Sequence, residues 1–192
     1  MNFKSRRFEP INFRLMNKII EDIIKRYKTR ICDDCVFFAP EIPERKLRNA
    51  VEGYARAGSG ERALALIDNS FFGSASDGVL LTGERIYSNE WSDVTFALEL
   101  GAIESVEFVE SNSANEIRLN SAKFVVLHMA DARSVRTFAE MLDEIRRVFH
   151  PTETEFQAHK PRAGKCQTCG APFRLTRLYA NCSYCGSYCE GN

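Results

Sequence analysis

Residues 63–87 read ALALIDNSFFGSASDGVLLTGERIY, and this stretch decides the fold class. Two short apolar runs, 63–67 and 79–82, are separated by a segment rich in Ser and Gly that ends in the turn signal Asp77-Gly78. A third run, 85–87, follows after another Gly. Short apolar runs bounded by turn residues predict β-strands, and this spacing predicts that successive strands are antiparallel neighbours.

Further strands are predicted on the C-terminal side of this stretch. Runs at 105–108, 116–119 and 123–127 are separated by segments containing Asn and Ser, and residues 95–100 are an ambiguous additional strand. Six or seven strands at this spacing indicate an antiparallel sandwich or small barrel. Residues 132–149 return to helical periodicity before Pro151, and the stripe expected to be buried is Val135, Phe138, Ala139, Leu142, Ile145 and Phe149.

The run over residues 63–87 resembles the opening of bacterial pleckstrin-homology-like (PH/GRAM-like) domains. The shared features are a strand, a Gly/Ser/Asp turn, an "Asp-Gly-apolar-apolar-Thr" strand and an Ile-Tyr strand. The last strand and the C-terminal helix of such domains match residues 124–127 and the helix through Phe149. The resemblance therefore covers residues 61–150. It implies an antiparallel β-meander or barrel capped by a C-terminal helix, and binding of peptides, protein surfaces or lipid headgroups rather than catalysis.

The charge distribution bears on which ligand is expected. The chain has zero net charge, but residues 61–150 carry 15 acidic and 8 basic residues, whereas residues 1–60 carry 8 acidic and 13 basic ones. Anionic lipid headgroups are attracted by clustered Lys and Arg. The acidic composition of 61–150 therefore disfavours a phosphoinositide site, and a protein or peptide ligand or a purely structural role stays open for this domain.

Residues 1–60 are predicted to form a helical N-terminal extension. A helix over 9–30 carries Leu15, Met16, Ile19, Ile20, Ile23, Ile24 and Tyr27 on one face. We expect this face to pack on its own domain or on a second copy, giving a homodimer. A membrane-surface helix is the alternative, weakened by Glu21 and Asp22 on the polar face. A loop over 32–40 and a second helix over 42–57, stopped by Gly58, complete the segment.

The strongest chemical signal lies at the C-terminal end of the chain. Cys166-x-x-Cys169 and Cys182-x-x-Cys185 are separated by twelve residues, enough for a short hairpin between the pairs. This spacing predicts a four-cysteine zinc ribbon over 166–192, joined by a linker over 151–165. A four-thiolate centre has no open position for water or substrate, so its single Zn²⁺ is expected to be structural.

The compartment follows from the same cysteines. Two disulfides would be the alternative to zinc, but they require an oxidising environment. The N-terminal residues lack the apolar segment of a secretory signal, and no stretch approaches the roughly 18 apolar residues of a membrane span. We therefore expect a cytoplasmic protein.

The remaining reactive residues do not indicate an enzyme. Cys32 and Cys35 form a third C-x-x-C, which could be a redox pair, half a metal site or two structural thiols. Structural thiols are favoured because the intervening Asp33 and Asp34 raise thiol pKa values. Cys189 is a spare thiol. The three His residues are scattered, and nucleotide-binding and zinc-protease motifs are absent.

Two functions therefore compete. The first is a non-catalytic interaction or regulatory adaptor built from a PH-like domain and a structural zinc ribbon. The second is a nucleic-acid-binding protein that uses the ribbon. Its candidate contacts are Lys160, Arg162, Lys165, Arg174 and Arg177. The second is disfavoured because Zn²⁺ with four thiolates carries a formal charge of about −2, which offsets the basic excess.

Overall fold

The computed structural model describes residues 13–58, 60–90, 95–111, 114–150, 163–166, 168–174, 179–181, 184–185 and 188–190. The chain divides into two compact units, of which one is Ile20–His150 and the other includes the C-terminal cysteine module. Three α-helices and antiparallel sheets are described, and an α-helix follows the sheets. These features confirm the predicted α+β class. The predicted domain boundaries stay predictions.

The first sheet has five strands in the order β1-β2-β3-β4-β5, and each pairs antiparallel with the next. The strands β2, β3 and β4 are buried along nearly their whole length, which explains why their apolar runs show little alternation. A Cβ on Gly78, which has a φ of 135°, would lie 1.9 Å from the carbonyl oxygen of Ile67. Glycine therefore permits the close approach of β2 and β3. The bounds are β1 Val36–Phe38, β2 Ala63–Asp68, β3 Gly78–Thr82, β4 Arg85–Asn89 and β5 Thr95–Glu99.

Strand β1 lies where the sequence predicts a loop, so that prediction is wrong. Val36 pairs with Ile67 and Phe38 pairs with Ala65, and both Val36 and Phe38 are buried. Three residues are too few to show the two-residue period of a strand. Pairing with β2, more than twenty-five residues later in the chain, is what makes this segment a strand.

The second sheet has the order β6-β7-β8, with β6 Val106–Glu110, β7 Asn115–Leu119 and β8 Ala122–Leu127. Among the described strands the two sheets stay separate, so the barrel that the sequence suggested is not closed. The chain leaves β5 through a 3-10 turn, Leu100–Ala102, in which Leu100 is buried. This corner carries the chain into the second sheet. A link between the sheets is the Ser88 hydroxyl, which donates to the carbonyl of Phe124 at 2.8 Å.

Helix α3, Ala132–Phe149, packs on β6 and β7. Its N-cap is Asp131, whose carboxylate accepts a hydrogen bond from the N–H of Ser134 at 2.9 Å. The predicted bounds are confirmed, and Phe149 at the end of the stripe is half-buried. The remaining residues of the predicted stripe are all buried, namely Val135, Phe138, Ala139, Leu142 and Ile145.

Helix α1, Phe13–Lys28, confirms most of the predicted N-terminal helix, while residues 9–12 lie outside the described residues, as do the side chains of Leu15 and Met16. Arg30, just after α1, forms a 2.8 Å ion pair with Glu140 of α3. The apolar face is covered by this chain itself, without a second copy, at Ile20, Ile23, Ile24 and Tyr27. Within the described residues, no helix is long and apolar enough to span a bilayer.

Helix α2, Glu44–Ala50, is shorter than the predicted helix and continues as a π-helical turn, Val51–Ala55. Arg56 ends this turn in a left-handed conformation with a φ of 45°, so the predicted stop at Gly58 is two residues late. The wider turn places Tyr54 and Ala55 in the core. This adjustment depends on packing and is not visible in the helical period.

Candidate metal centre

The first cysteine pair lies in the turn of a short hairpin. Strand β9, Ala163–Lys165, pairs antiparallel with β10, Pro172–Arg174, and lies entirely within the predicted linker. The N–H of Cys166 donates to the carbonyl of Ala171 at 2.8 Å, and the N–H of Gly170 donates to the carbonyl of Cys166 at 2.7 Å. Gly170 has a φ of 72°, a conformation that glycine adopts without steric penalty. The backbone thus forms the tight knuckle that the spacing predicts.

Cys185, of the second cysteine pair, lies in a hairpin of its own. Strand β11, Tyr179–Asn181, pairs antiparallel with β12, Tyr188–Glu190, and Cys185 is in the turn between them. The sequence suggested a single hairpin between the two cysteine pairs. Instead, in the described residues, β10 and β11 each pair with the strand on the far side of their own cysteines. Cys166 and Cys169 are therefore presented at the end of one two-stranded hairpin, and Cys185 at the end of another.

Three sulfurs from these two turns converge. The Sγ atoms of Cys166, Cys169 and Cys185 all lie within 4.8 Å of one another. The Cys166 and Cys185 sulfurs are 3.7 Å apart. A disulfide would require about 2.05 Å, whereas two thiolates on a tetrahedral zinc, each with a Zn–S bond of about 2.3 Å, lie about 3.8 Å apart. The spacing fits metal ligation, and the three sulfurs could hold one metal ion.

The local backbone favours the thiolate form of Cys166. Hydrogen bonds from the backbone at Cys169 and Thr168 lower the pKa of the Cys166 thiol to about 6, and they outweigh the opposing effect of burial. A hydrogen bond between the Cys166 and Cys185 sulfurs acts in the same direction. Because metals bind thiolates rather than thiols, these N–H groups prepare the site for a cation.

The structure describes only part of the predicted site. Cys182 lies outside the described residues, so the fourth ligand stays a prediction. Among the candidate nucleic-acid contacts, Lys165 is exposed next to the first knuckle. The others, Lys160, Arg162, Arg177 and the side chain of Arg174, lie outside the described residues, as does the side chain of Cys189.

The other C-x-x-C belongs to the sheet unit, and its Cys35 thiol is not activated. Cys32 is exposed and Cys35 is half-buried. The thiol of Cys35 donates to the carbonyl of Met129 at 3.6 Å. Burial, and then the negative charge of Asp33, raise the pKa of Cys35. These surroundings disfavour the thiolate that redox chemistry or metal binding would need.

A buried polar network, which the sequence analysis missed, lies at the end of β2. The Asp68 carboxylate is 2% exposed and forms an ion pair with Lys46. It also accepts hydrogen bonds from the N–H of Ser70 at 2.9 Å and from the N–H of Ala75 at 3.1 Å. Burial acts to raise the pKa of Asp68, but the hydrogen bonds from Lys46 and Ser70 outweigh it and hold the pKa below its ordinary value. The ion pair joins residues twenty-two positions apart, so no local pattern could reveal it.

Two adjacent aromatic residues were also missed as functional candidates. Phe71 and Phe72, in the turn after β2, are 71% and 88% exposed. They lie inside the apolar-rich stretch 63–87, where hydrophobic residues are expected in the core. A run of Ser and Gly around them was the available signal that they belong to a turn.

Comparison of the chain with protein-family models, with curated proteins and with solved structures found no match.

Proposed function

We propose that this chain is a non-catalytic interaction protein, an adaptor or regulatory subunit, built from a PH-like domain over residues 61–150 and a zinc ribbon over 166–192. The ribbon holds one structural Zn²⁺ through Cys166, Cys169, Cys182 and Cys185. Convergence of three of these sulfurs supports the metal site. Three consecutive antiparallel pairings from β2 to β5, a second sheet and a closing helix support the PH-like plan.

The observation that carries the non-catalytic proposal is the state of the buried carboxylates. Asp68 is held by Lys46 and by backbone N–H groups. Glu61 accepts hydrogen bonds from the hydroxyls of Thr82 and Tyr87, each at 2.9 Å, and an ion pair from Arg85 at 3.2 Å. Each of these bonds favours the charged form, and for both carboxylates they outweigh the opposing effect of burial and hold the pKa below its ordinary value. A carboxylate kept ionised by structural partners is poorly suited to exchange protons with a substrate.

The function is tested with the full-length, metal-loaded chain as bait in lysate of the native cell, before and after nuclease digestion. A defined protein partner that remains bound at equal stoichiometry after digestion supports the adaptor. Loss of all partners after digestion, together with tight, salt-sensitive binding to purified RNA or DNA, would replace it with the nucleic-acid function.

The metal is tested separately by elemental analysis of protein purified without chelator. One zinc per chain is expected. One iron per chain with the visible absorption of an iron–thiolate centre would contradict the assignment of zinc while leaving the cysteine cluster intact.

A further inference from the structure

The two exposed phenylalanines are presented by a turn that the fold holds rigidly. Their rings lie edge to face with centroids 5.1 Å apart. Immediately before them, the Ser70 hydroxyl donates to Asp68; immediately after them, the N–H groups of Ser74 and Ala75 donate to the same hydroxyl at 2.7 and 3.0 Å. Asn49 of α2 donates to the carbonyl of Ser74 at 2.8 Å. The turn is thus anchored on both sides of the aromatic pair.

A second anchor ties this turn to the loop after β8. The carbonyl oxygen of the Asn69 side chain accepts hydrogen bonds from the N–H of His128 at 2.7 Å and from the N–H of Met129 at 3.3 Å. The side-chain amide of Asn69 donates to the carbonyl of Val126 at 2.9 Å. Met129 is itself 39% exposed. We call the exposed side chains of Phe71, Phe72 and Met129 the apolar tip.

The loops that carry and adjoin the apolar tip have an excess of acidic side chains. The carboxylate of Asp33 accepts from the N–H of Asp131 at 2.8 Å, which joins the loop before β1 to the start of α3. Two nearby basic residues are engaged by acids, Lys46 by Asp68 and Arg30 by Glu140. Among the other charged residues of these loops and of the adjoining helix starts, two are basic, Arg45 and Arg133. Four are acidic, namely Asp33, Asp34, Asp77 and Asp131.

From these features we propose that the apolar tip is a docking surface for a segment of a partner protein in which apolar side chains are flanked by Lys or Arg. The inference rests on the proposed function as an interaction protein and names the surface and the partner chemistry. Aromatic residues, Phe among them, and Met are enriched at protein interfaces relative to the rest of the protein surface. Because the turn is already ordered, little conformational entropy is lost when it binds.

The acidic surroundings decide between a protein segment and a membrane. An anionic bilayer would be repelled by the carboxylates, whereas Lys and Arg beside an apolar segment would be attracted. The same repulsion disfavours self-association of two apolar tips. A protein segment with apolar side chains flanked by Lys or Arg is the occupant that can both cover the aromatic rings and pair with the surrounding carboxylates.

The test uses the full-length, metal-loaded protein and a displayed library of random 16-residue peptides. Peptides enriched on the wild type are expected to combine aromatic or aliphatic residues with Lys or Arg. The double variant Phe71→Ser/Phe72→Ser should weaken binding of the synthesised peptides by about tenfold or more. It should keep the melting temperature and metal content of the wild type, because these side chains are outside the core.

The charge contribution is tested by Asp34→Lys, with Glu84→Lys as the matched control. Glu84 is also exposed but lies in the turn between β3 and β4, at the opposite end of β3 from the apolar tip. Asp34→Lys should slow peptide association several-fold and reduce its salt dependence, whereas Glu84→Lys should change neither.

Several results would overturn the inference. Among them are an absence of peptides that distinguish wild type from the Phe71→Ser/Phe72→Ser variant and enrichment of acidic peptides. Sedimentation with phosphatidylcholine–phosphatidylserine vesicles that requires the two rings, or a homodimer that dissociates in the double variant, would also overturn it. A protein partner that binds wild type and double variant equally would overturn the apolar tip while leaving the adaptor function standing. Binding of nucleic acid alone would contradict the adaptor function itself.

Discussion

The sheet unit, Ile20–His150, buries large apolar side chains from both sheets and from two helices, including Leu66, Leu80, Ile117 and Phe138. In the cysteine module the described side chains show the opposite pattern. Cys166 is buried, whereas Lys165, Thr168, Cys169, Pro172, Tyr184 and Cys185 are exposed.

This difference shows two ways in which one chain can order its parts. A short segment has too little apolar surface to offset the conformational entropy that ordering costs. In the proposed zinc ribbon, cross-linking by the metal would supply the missing free energy, since a structural zinc contributes about 10–16 kcal/mol in isolated finger peptides. The sheet unit should therefore respond to changes in its core, and the module should respond to changes in its sulfurs.

The largest expected effect follows from removing the metal. Chelation, or the substitution Cys169→Ser, should abolish metal binding and amide-exchange protection in the module, a loss on the order of 10 kcal/mol. The main thermal transition of the sheet unit should remain. Elemental analysis and hydrogen exchange measure the two responses. Cys32→Ser is the control, because it removes an exposed thiol outside the module and should leave one metal per chain.

The next largest effect is expected in α1. Ile20 is fully buried, so Ile20→Asp loses the burial of an apolar side chain and introduces a charge without a partner. The free energy of unfolding should fall by about 4 kcal/mol or more. Ile20→Val at the same site should cost only about 0.5–1.5 kcal/mol. Chemical denaturation of both variants measures this, and similar midpoints would show that α1 is not part of the core.

A smaller effect is expected from truncation in α3. Leu142 is fully buried where α3 packs on the second sheet, and Leu142→Ala should cost about 2–5 kcal/mol. Glu140→Ala on the exposed face removes an ion pair with Arg30 and should cost less than about 1 kcal/mol. Metal content should be unchanged in both variants. Loss of metal from Leu142→Ala would show that the cysteine module depends on the core of the sheet unit, and would contradict the distinction between the two regions.

The smallest effect is the acid sensitivity of the sheet unit. The pKa of Asp68 is lowered in the folded state, so its contribution to stability is present above the unfolded value of about 3.9. This contribution is lost as the pH falls through the folded pKa. Unfolding free energies measured from pH 6 to pH 2.5 should therefore decline in acid. Asp68→Asn should lower stability at pH 6 by about 1–3 kcal/mol and flatten this decline; an unchanged slope would contradict it.

Much of the fold was predictable because its signals are local. The strands β2, β3, β4, β7 and β8 lie within a residue or two of the predicted runs, and α3 has the predicted bounds. Turn residues and apolar periodicity act over a few neighbouring positions, so they are readable without a structure. The cysteine spacing is likewise local, and it predicts as metal ligands the three residues whose sulfurs converge, Cys166, Cys169 and Cys185.

The sequence by itself determined the α+β class, the position of the closing helix and the residues of the candidate metal site. The tertiary structure decided that Val36–Phe38 is a strand, that the two sheets do not close into a barrel, and that the ionised Asp68 forms an ion pair with Lys46. It also decided that Phe71 and Phe72 are exposed although they stand in an apolar run. The physical reason is the range of the interactions: pairing, burial and ion pairs join residues far apart in the chain, and hydrophobicity alone does not say which face of the molecule a side chain reaches.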